Sequence, residues 1–211
     1  TTERVVTLTP KKSNYVSKAS PKKVYSKKSK IRASKAAYAS YLEFAPIKLK
    51  EGESIVAAIL QVHVTSLTGK KKAQLVVAPV KPAWSAAKLT YKKRPKLVSG
   101  LPTAAKTVKA KKTTKVSLDA GKLSAQLQAG AAFRLTNKLA NSSILMSGKG
   151  AKAPKLIVTI RTGATSENPL PEPDVPPGST FSIAVIPDTQ EEVFSASDPR
   201  YSNRTHWLVD N

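Results

Sequence analysis

Two stretches of this 211-residue chain hold side chains whose types and spacing could do chemistry. In the first, Ala83-Trp84-Ser85 is followed by Leu89-Thr90-Tyr91 and then Lys92-Lys93-Arg94. Aromatic faces stack on sugar rings, and neighbouring cations suit anionic groups. Trp84, Tyr91, Lys92, Lys93 and Arg94 therefore form a candidate ligand-binding loop. A structural reading stands beside it, in which Trp84 plugs one end of the fold. Its apolar neighbours Ala83, Ala86, Ala87 and Leu89 favour that reading. In the second stretch, Phe181 to Pro187 is a nearly continuous apolar run that ends in Asp188, the pattern of a buried parallel strand with an acid at its tip.

Other reactive residue types are sparse. There is no cysteine, which removes thiol nucleophiles, disulfides and thiolate metal ligands together. The two histidines, His63 and His206, lie far apart in sequence, which argues against a histidine metal site; His63 reads as a surface residue near a strand end. Residues 1–162 hold only five acids (Glu3, Glu43, Glu51, Glu53 and Asp119), so two-carboxylate glycosidase chemistry has few candidates. No Gly-rich phosphate loop or nucleophile elbow occurs there, and no catalytic residue is assigned.

Charge divides the chain. Residues 1–162 carry 34 basic side chains against those five acids, a balance of +29, whereas residues 163–211 carry two against eight. Lysines outnumber arginines by 29 to seven. Lysine is a hydrated point charge, and arginine is the residue of bidentate readout. The excess therefore points to diffuse attraction to a polyanion or to a solvated surface that blocks strand pairing. No helix-turn-helix, zinc-finger or RNA-recognition pattern accompanies it, which excludes sequence-specific nucleic-acid binding as an expected function. No run of about 18 apolar residues offers a membrane-spanning helix.

The elements that must position these residues read as strands. Alternation is clearest from Ile55 to Val64, with Val56, Ala58, Leu60, Val62 and Val64 on one face. Shorter runs occur at Tyr38–Phe44, Leu75–Pro79, Val116–Leu118, Phe133–Leu135 and Leu156–Ile160. Gly69-Lys70-Lys71-Lys72 is expected to be a hairpin turn. Prolines 82, 95 and 102 mark a long loop over 81–105, and one short helix is expected at Ala120–Ala129, ended by Gly130. Many short strands with hardly any helix predict an all-β domain, a sandwich or barrel, over residues 1–162. Five prolines then make 163–180 a polar linker. Residues 181–211 read as the first strand and helix start of a truncated α/β fragment, so the chain is expected to be a piece of a longer protein.

Asn14-Tyr15-Val16, Ser40-Tyr41-Leu42-Glu43-Phe44, Ala58 to Val64, Ala83-Trp84-Ser85, Arg94-Pro95, Phe133-Arg134-Leu135, Met146-Ser147 and Pro154 to Val158 occur in an order that resembles the DNRLRE domain. That family is a jelly-roll β-sandwich of secreted and surface proteins, with carbohydrate-binding module family 96 as a related grouping. The resemblance covers residues 14–160 and sharpens the expected fold to a jelly-roll β-sandwich. Phe181 to Gln190 with His206 to Asn211 is similar to the start of a calcineurin-like metallophosphoesterase. The implication is that Asp188 ligates one ion of a divalent metal pair in a complete phosphoesterase domain. The remaining ligands would lie beyond residue 211, leaving this fragment inert.

The first expected function is a non-catalytic binding or adhesion module that holds its parent on an anionic polysaccharide or cell-surface polymer. A structural component of a virion tail or fibre, or of a self-assembling surface layer, is an alternative. The N-terminal part of a metal-dependent phosphoesterase is another. The sandwich itself is expected to need no cofactor, and the protein to be secreted, surface-bound or virion-associated.

Overall fold

The computed structural model describes residues 2–25, 29–69 and 72–163. Most of the expected linker and the whole 181–211 stretch, with Asp188 and His206, lie outside the described residues. The described strands are β1 (Thr2–Leu8), β2 (Lys12–Ser17), β3 (Lys30–Ser34), β4 (Tyr38–Glu43), β5 (Glu53–Thr68), β6 (Ala73–Pro79), β7 (Ala104–Val108), β8 (Lys112–Leu118), β9 (Ala132–Asn137), β10 (Ser143–Ser147) and β11 (Lys155–Thr162). One helix, α1 (Ala120–Ala129), joins β8 to β9.

Two antiparallel sheets face each other, as an all-β sandwich requires. The first is built on β5. Leu60 pairs with both Val116 and Leu156, and Val64 with both Lys112 and Met146. β8 therefore fills one edge of β5, while β11 and β10 follow each other along the opposite edge. β1 and β3 flank β11 and β10 in turn. The second sheet runs β2-β4-β9-β6-β7. Period-two alternation sends Leu60, Val62, Leu75, Phe133, Leu135, Leu156 and Val158 into one shared core.

The expected helix forms at the expected residues. Asp119 caps it by accepting a hydrogen bond from the Lys122 amide at 3.1 Å, and Leu123 and Leu127 face the core. Pro79 ends β6 as expected. Its ladder partner β7 stops at Val77, so no hydrogen bond is lost to the proline there.

Two expectations are corrected. Residues 69–72 do not close a hairpin: β5 and β6 belong to different sheets, because both edges of β5 are already paired. The inward face of β5 is also not continuous. Between Thr159 and Ile160 the register skips from Ala57 to Ile55, which leaves Val56 as the extra residue of a bulge. Val56 is 36% exposed and Ile55 only 7%, the reverse of the simple alternation.

Candidate functional site

The 81–98 loop lies over the outer face of the second sheet. Outward-facing residues on this face form rows: Lys12, Glu43 and Ala132 in one, Asn14, Tyr41 and Arg134 in the next. Side chains from these rows hold the loop. Lys12 donates from Nζ to the Trp84 carbonyl at 2.6 Å and to Glu43 Oε1 at 2.8 Å. Asn14 donates from Nδ2 to the Ala86 carbonyl at 2.8 Å. Backbone bonds from Lys81 N to Lys96 O and from Val98 N to Pro79 O close the base of the loop.

Trp84 sits under this loop and is 8% exposed. It packs with Val16, Ala39, Tyr41, Val80, Leu89 and Ala132 in a second apolar cluster, separate from the core between the sheets. Tyr41 meets its ring edge-on at 6.3 Å, and Lys12 Nζ lies 5.4 Å from the ring centre. Trp84 thus neither presents a stacking face nor plugs an end of the sandwich. It is the anchor that seals the loop against the sheet.

The other four residues of the candidate loop are brought together at its surface. Lys92, Lys93 and Arg94 are exposed and Tyr91 is half-buried. Arg94 stacks on Tyr91, its guanidinium carbon 4.1 Å from the ring centre, and donates from Nη1 to the Tyr91 carbonyl at 3.0 Å. The turn is fixed by Thr90, whose Oγ1 accepts from Lys93 N at 3.1 Å, and by Lys92 N donating to Pro21 O at 3.3 Å. The guanidinium is therefore held in place rather than waving on a flexible stem, which reduces the entropy lost on engaging a ligand.

Beneath this pair lie two residues that sequence reasoning did not assign to the site. Tyr41 is fully buried, with a hydroxyl that has no hydrogen-bond partner; Arg134, directly across the ladder, has a buried and unpartnered Nε. Burial pushes the Tyr41 hydroxyl pKa up, and the positive charges of Arg134 and Arg94 pull it partly back. Among the described residues, none of Lys92, Lys93, Arg94 and Arg134 has a carboxylate partner, while Glu43 is engaged by Lys12. The site is cationic, aromatic and free of local neutralisation. The outward position of Arg134 between Phe133 and Leu135 was the one available signal.

Among the described residues, no three His, Asp or Glu side chains come together as metal ligands. His63 lies on the outer face of β5, with Nδ1 3.0 Å from Thr113 Oγ1.

The model of carbohydrate-binding module family 96 matches residues 4–160, which span both sheets and the loop. The chain belongs to this family. No curated protein matches it. The sandwich is thus a carbohydrate-binding module, and polysaccharide is its class of partner. No helix among the described residues is long and apolar enough to cross a membrane.

Proposed function

We propose that the module holds its parent protein on an acidic polysaccharide, in a secreted or surface-bound setting, and that the Tyr91–Arg94 turn is where the polymer is gripped. The carrying observation is the stacked Tyr91–Arg94 pair, with Lys92 and Lys93 beside it and no carboxylate partner among the described residues. Surface lysines supply long-range attraction, which is screened beyond about 10 Å at 0.1 M salt. Arg94 supplies short-range grip, since a fixed guanidinium forms two parallel hydrogen bonds with a planar carboxylate or a sulfate.

The test is retention of the chain on immobilised heparin and on polygalacturonate across a salt gradient. Retention should fall steeply with salt, and Lys92→Ala/Lys93→Ala/Arg94→Ala should elute markedly earlier than equally conservative changes in the Lys109–Lys112 turn. Equal effects at the two places would reduce the site to diffuse charge. Salt-independent retention, or none, would overturn the reading.

A further inference from the structure

A groove on the opposite sheet is built from residues with no part in the 81–98 loop. Its floor is the outer face of the first sheet where β3, β10 and β5 run side by side. Leu145 lies between Arg32 and Ser66, and Ser143 between Ser34 and Thr68. The core side of these strands carries Ile31, Ala33, Ile144 and Met146.

Ser66 and Thr68 face outward because β5 contains a second bulge. Leu145 pairs with Ser66 and Met146 with Val64, which leaves Thr65 as the extra residue; its Oγ1 donates to the Leu145 carbonyl at 3.0 Å. Without the bulge, the inward series Leu60, Val62, Val64 would continue to Ser66 and Thr68. With it, Leu67 packs on the core and two hydroxyls turn toward solvent.

Tyr38 makes the wall. Ser34 Oγ accepts from the Ala37 and Tyr38 amides at 2.9 and 2.8 Å, closing a turn that brings the ring beside β3. Arg32 lies over that ring at 5.4 Å, and Tyr15 braces it edge-on at 6.2 Å. Arg32 has no carboxylate partner among the described residues. The cleft between these groups has a volume of about 250 Å³. It adjoins a depression of about 360 Å³ that shares Thr68 and Ser143 and reaches Lys35 and Asn141.

We propose that this groove is a second carbohydrate site, taking one or two neutral sugar rings against Tyr38, with Arg32, Ser66, Thr68 and Ser143 reading their hydroxyls. A sugar ring has an apolar face that suits an aromatic wall. Its edge of hydroxyls both donates and accepts, as serine and threonine do. The two adjoining hollows fit a linear partner better than a branched one. No acid among the described residues lines them, which favours a neutral guest over a cation. Among the described residues that line the two hollows only Arg32 and Lys35 carry charge, so recognition rests on short hydrogen bonds and is insensitive to salt. The inference shares family membership with the proposed function but not its site.

The experiment is an NMR titration of the ¹⁵N-labelled chain with cellohexaose, mannohexaose and xylohexaose in about 1 M NaCl, where charges are screened beyond about 3 Å. At least one oligosaccharide should shift amides of Arg32, Tyr38, Ser66 and Ser143. Tyr38→Ala and the near-isosteric Thr68→Val should each weaken binding roughly tenfold, while Tyr91→Ala leaves it unchanged. Amide spectra of the variants report that they are folded, and heparin retention of Tyr38→Ala should match the parent chain. No shift with any of the three sugars, shifts confined to the 81–98 loop, or full binding by folded Tyr38→Ala would each overturn the proposal. None of these results would touch the charged-polymer reading, which fails only in the salt gradient.

Discussion

The two outer faces of the sandwich are finished in different ways. On the second sheet, Val16, Ala39, Tyr41 and Ala132 point away from the central core, and a loop carrying Trp84 and Leu89 covers them. On the first sheet, the outward positions of β3, β5 and β10 hold Arg32, Ser66, Ser143 and Thr68, and no loop among the described residues covers them. The covered face offers a rim of exposed cations; the open face offers a groove. Apolar outward residues call for a lid, and hydroxyl-bearing ones leave the face open to solvent and ligand. The chemistry that each face can do therefore follows from what its outward residues demanded during folding.

The contrast breaks most severely at Trp84. Trp84→Ala should cost about 3–5 kcal/mol of unfolding free energy, the usual range for removing a large buried aromatic. It should also release the 81–98 loop, since Lys12 and Asn14 hold only its backbone. Urea unfolding of the variant measures the first effect. Retention on heparin measures the second and should fall although no charge has changed. A variant that loses little stability would show that the second apolar cluster is an incidental contact. Tyr38→Ala on the open face removes a half-buried ring and should cost far less.

Gly69 sharpens the same contrast at the end of the groove. Its φ is +87°, in the region that disfavours a side chain, and an added Cβ would run into the Asn141 carbonyl. Gly69→Ala should cost about 2 kcal/mol or more, because a left-handed Cβ alone costs about 1–2 kcal/mol. The displaced 139–142 segment should alter the outer hollow while leaving the 81–98 loop intact. A thermal melt and amide shifts at Asn141 and Tyr91 distinguish the two places. Movement at Tyr91 would contradict the separation of the faces.

Much of this architecture was legible in the sequence. Alternation located the strands around Leu60, Leu75, Phe133 and Val158, and the stretch closed by Gly130 located α1. The bulges at Val56 and Thr65 were not legible, because a bulge is fixed by pairing with β11 and β10, which lie about 80 to 105 residues away in the chain. The sheet change between β5 and β6 was hidden for the same reason: a Gly-Lys turn looks alike whether or not its strands pair. Tyr91 and Arg94 were singled out by type and spacing, and the structure stacks one on the other. Trp84 was misplaced because its apolar neighbours announce burial without saying which surface is buried. Arg134 was passed over as one polar position in an alternating strand; only the ladder sets it beside Tyr41.

The faintest difference between the sheets lies at their edges. β1 borders the open sheet and is mostly exposed, with Val5 at 63%. Arg4 ties it to Glu53 through bonds of 2.8 and 2.7 Å, and Arg161 reaches Glu3 at 2.7 Å. β2 borders the covered sheet and is buried along Asn14–Ser17. The Arg4 bond, helped by the Lys50 amide, holds the Glu53 pKa down to about 2 from 4.5. A carboxylate with a depressed native pKa stabilises the folded state fully above its unfolded value. Its contribution fades as pH falls from about 4.5 toward 2. Hydrogen exchange of β1 amides, corrected for intrinsic rates, should therefore speed relative to β5 across that window, with β2 lagging behind. Glu53→Gln should remove most of this pH dependence and slightly speed β1 exchange at neutral pH. Exposed ion pairs contribute little each, so the shift should be the smallest of those described here. Parallel opening of β1 and β2 on acidification would mean that the edge of the open sheet is no more dependent on charge than the edge of the covered one.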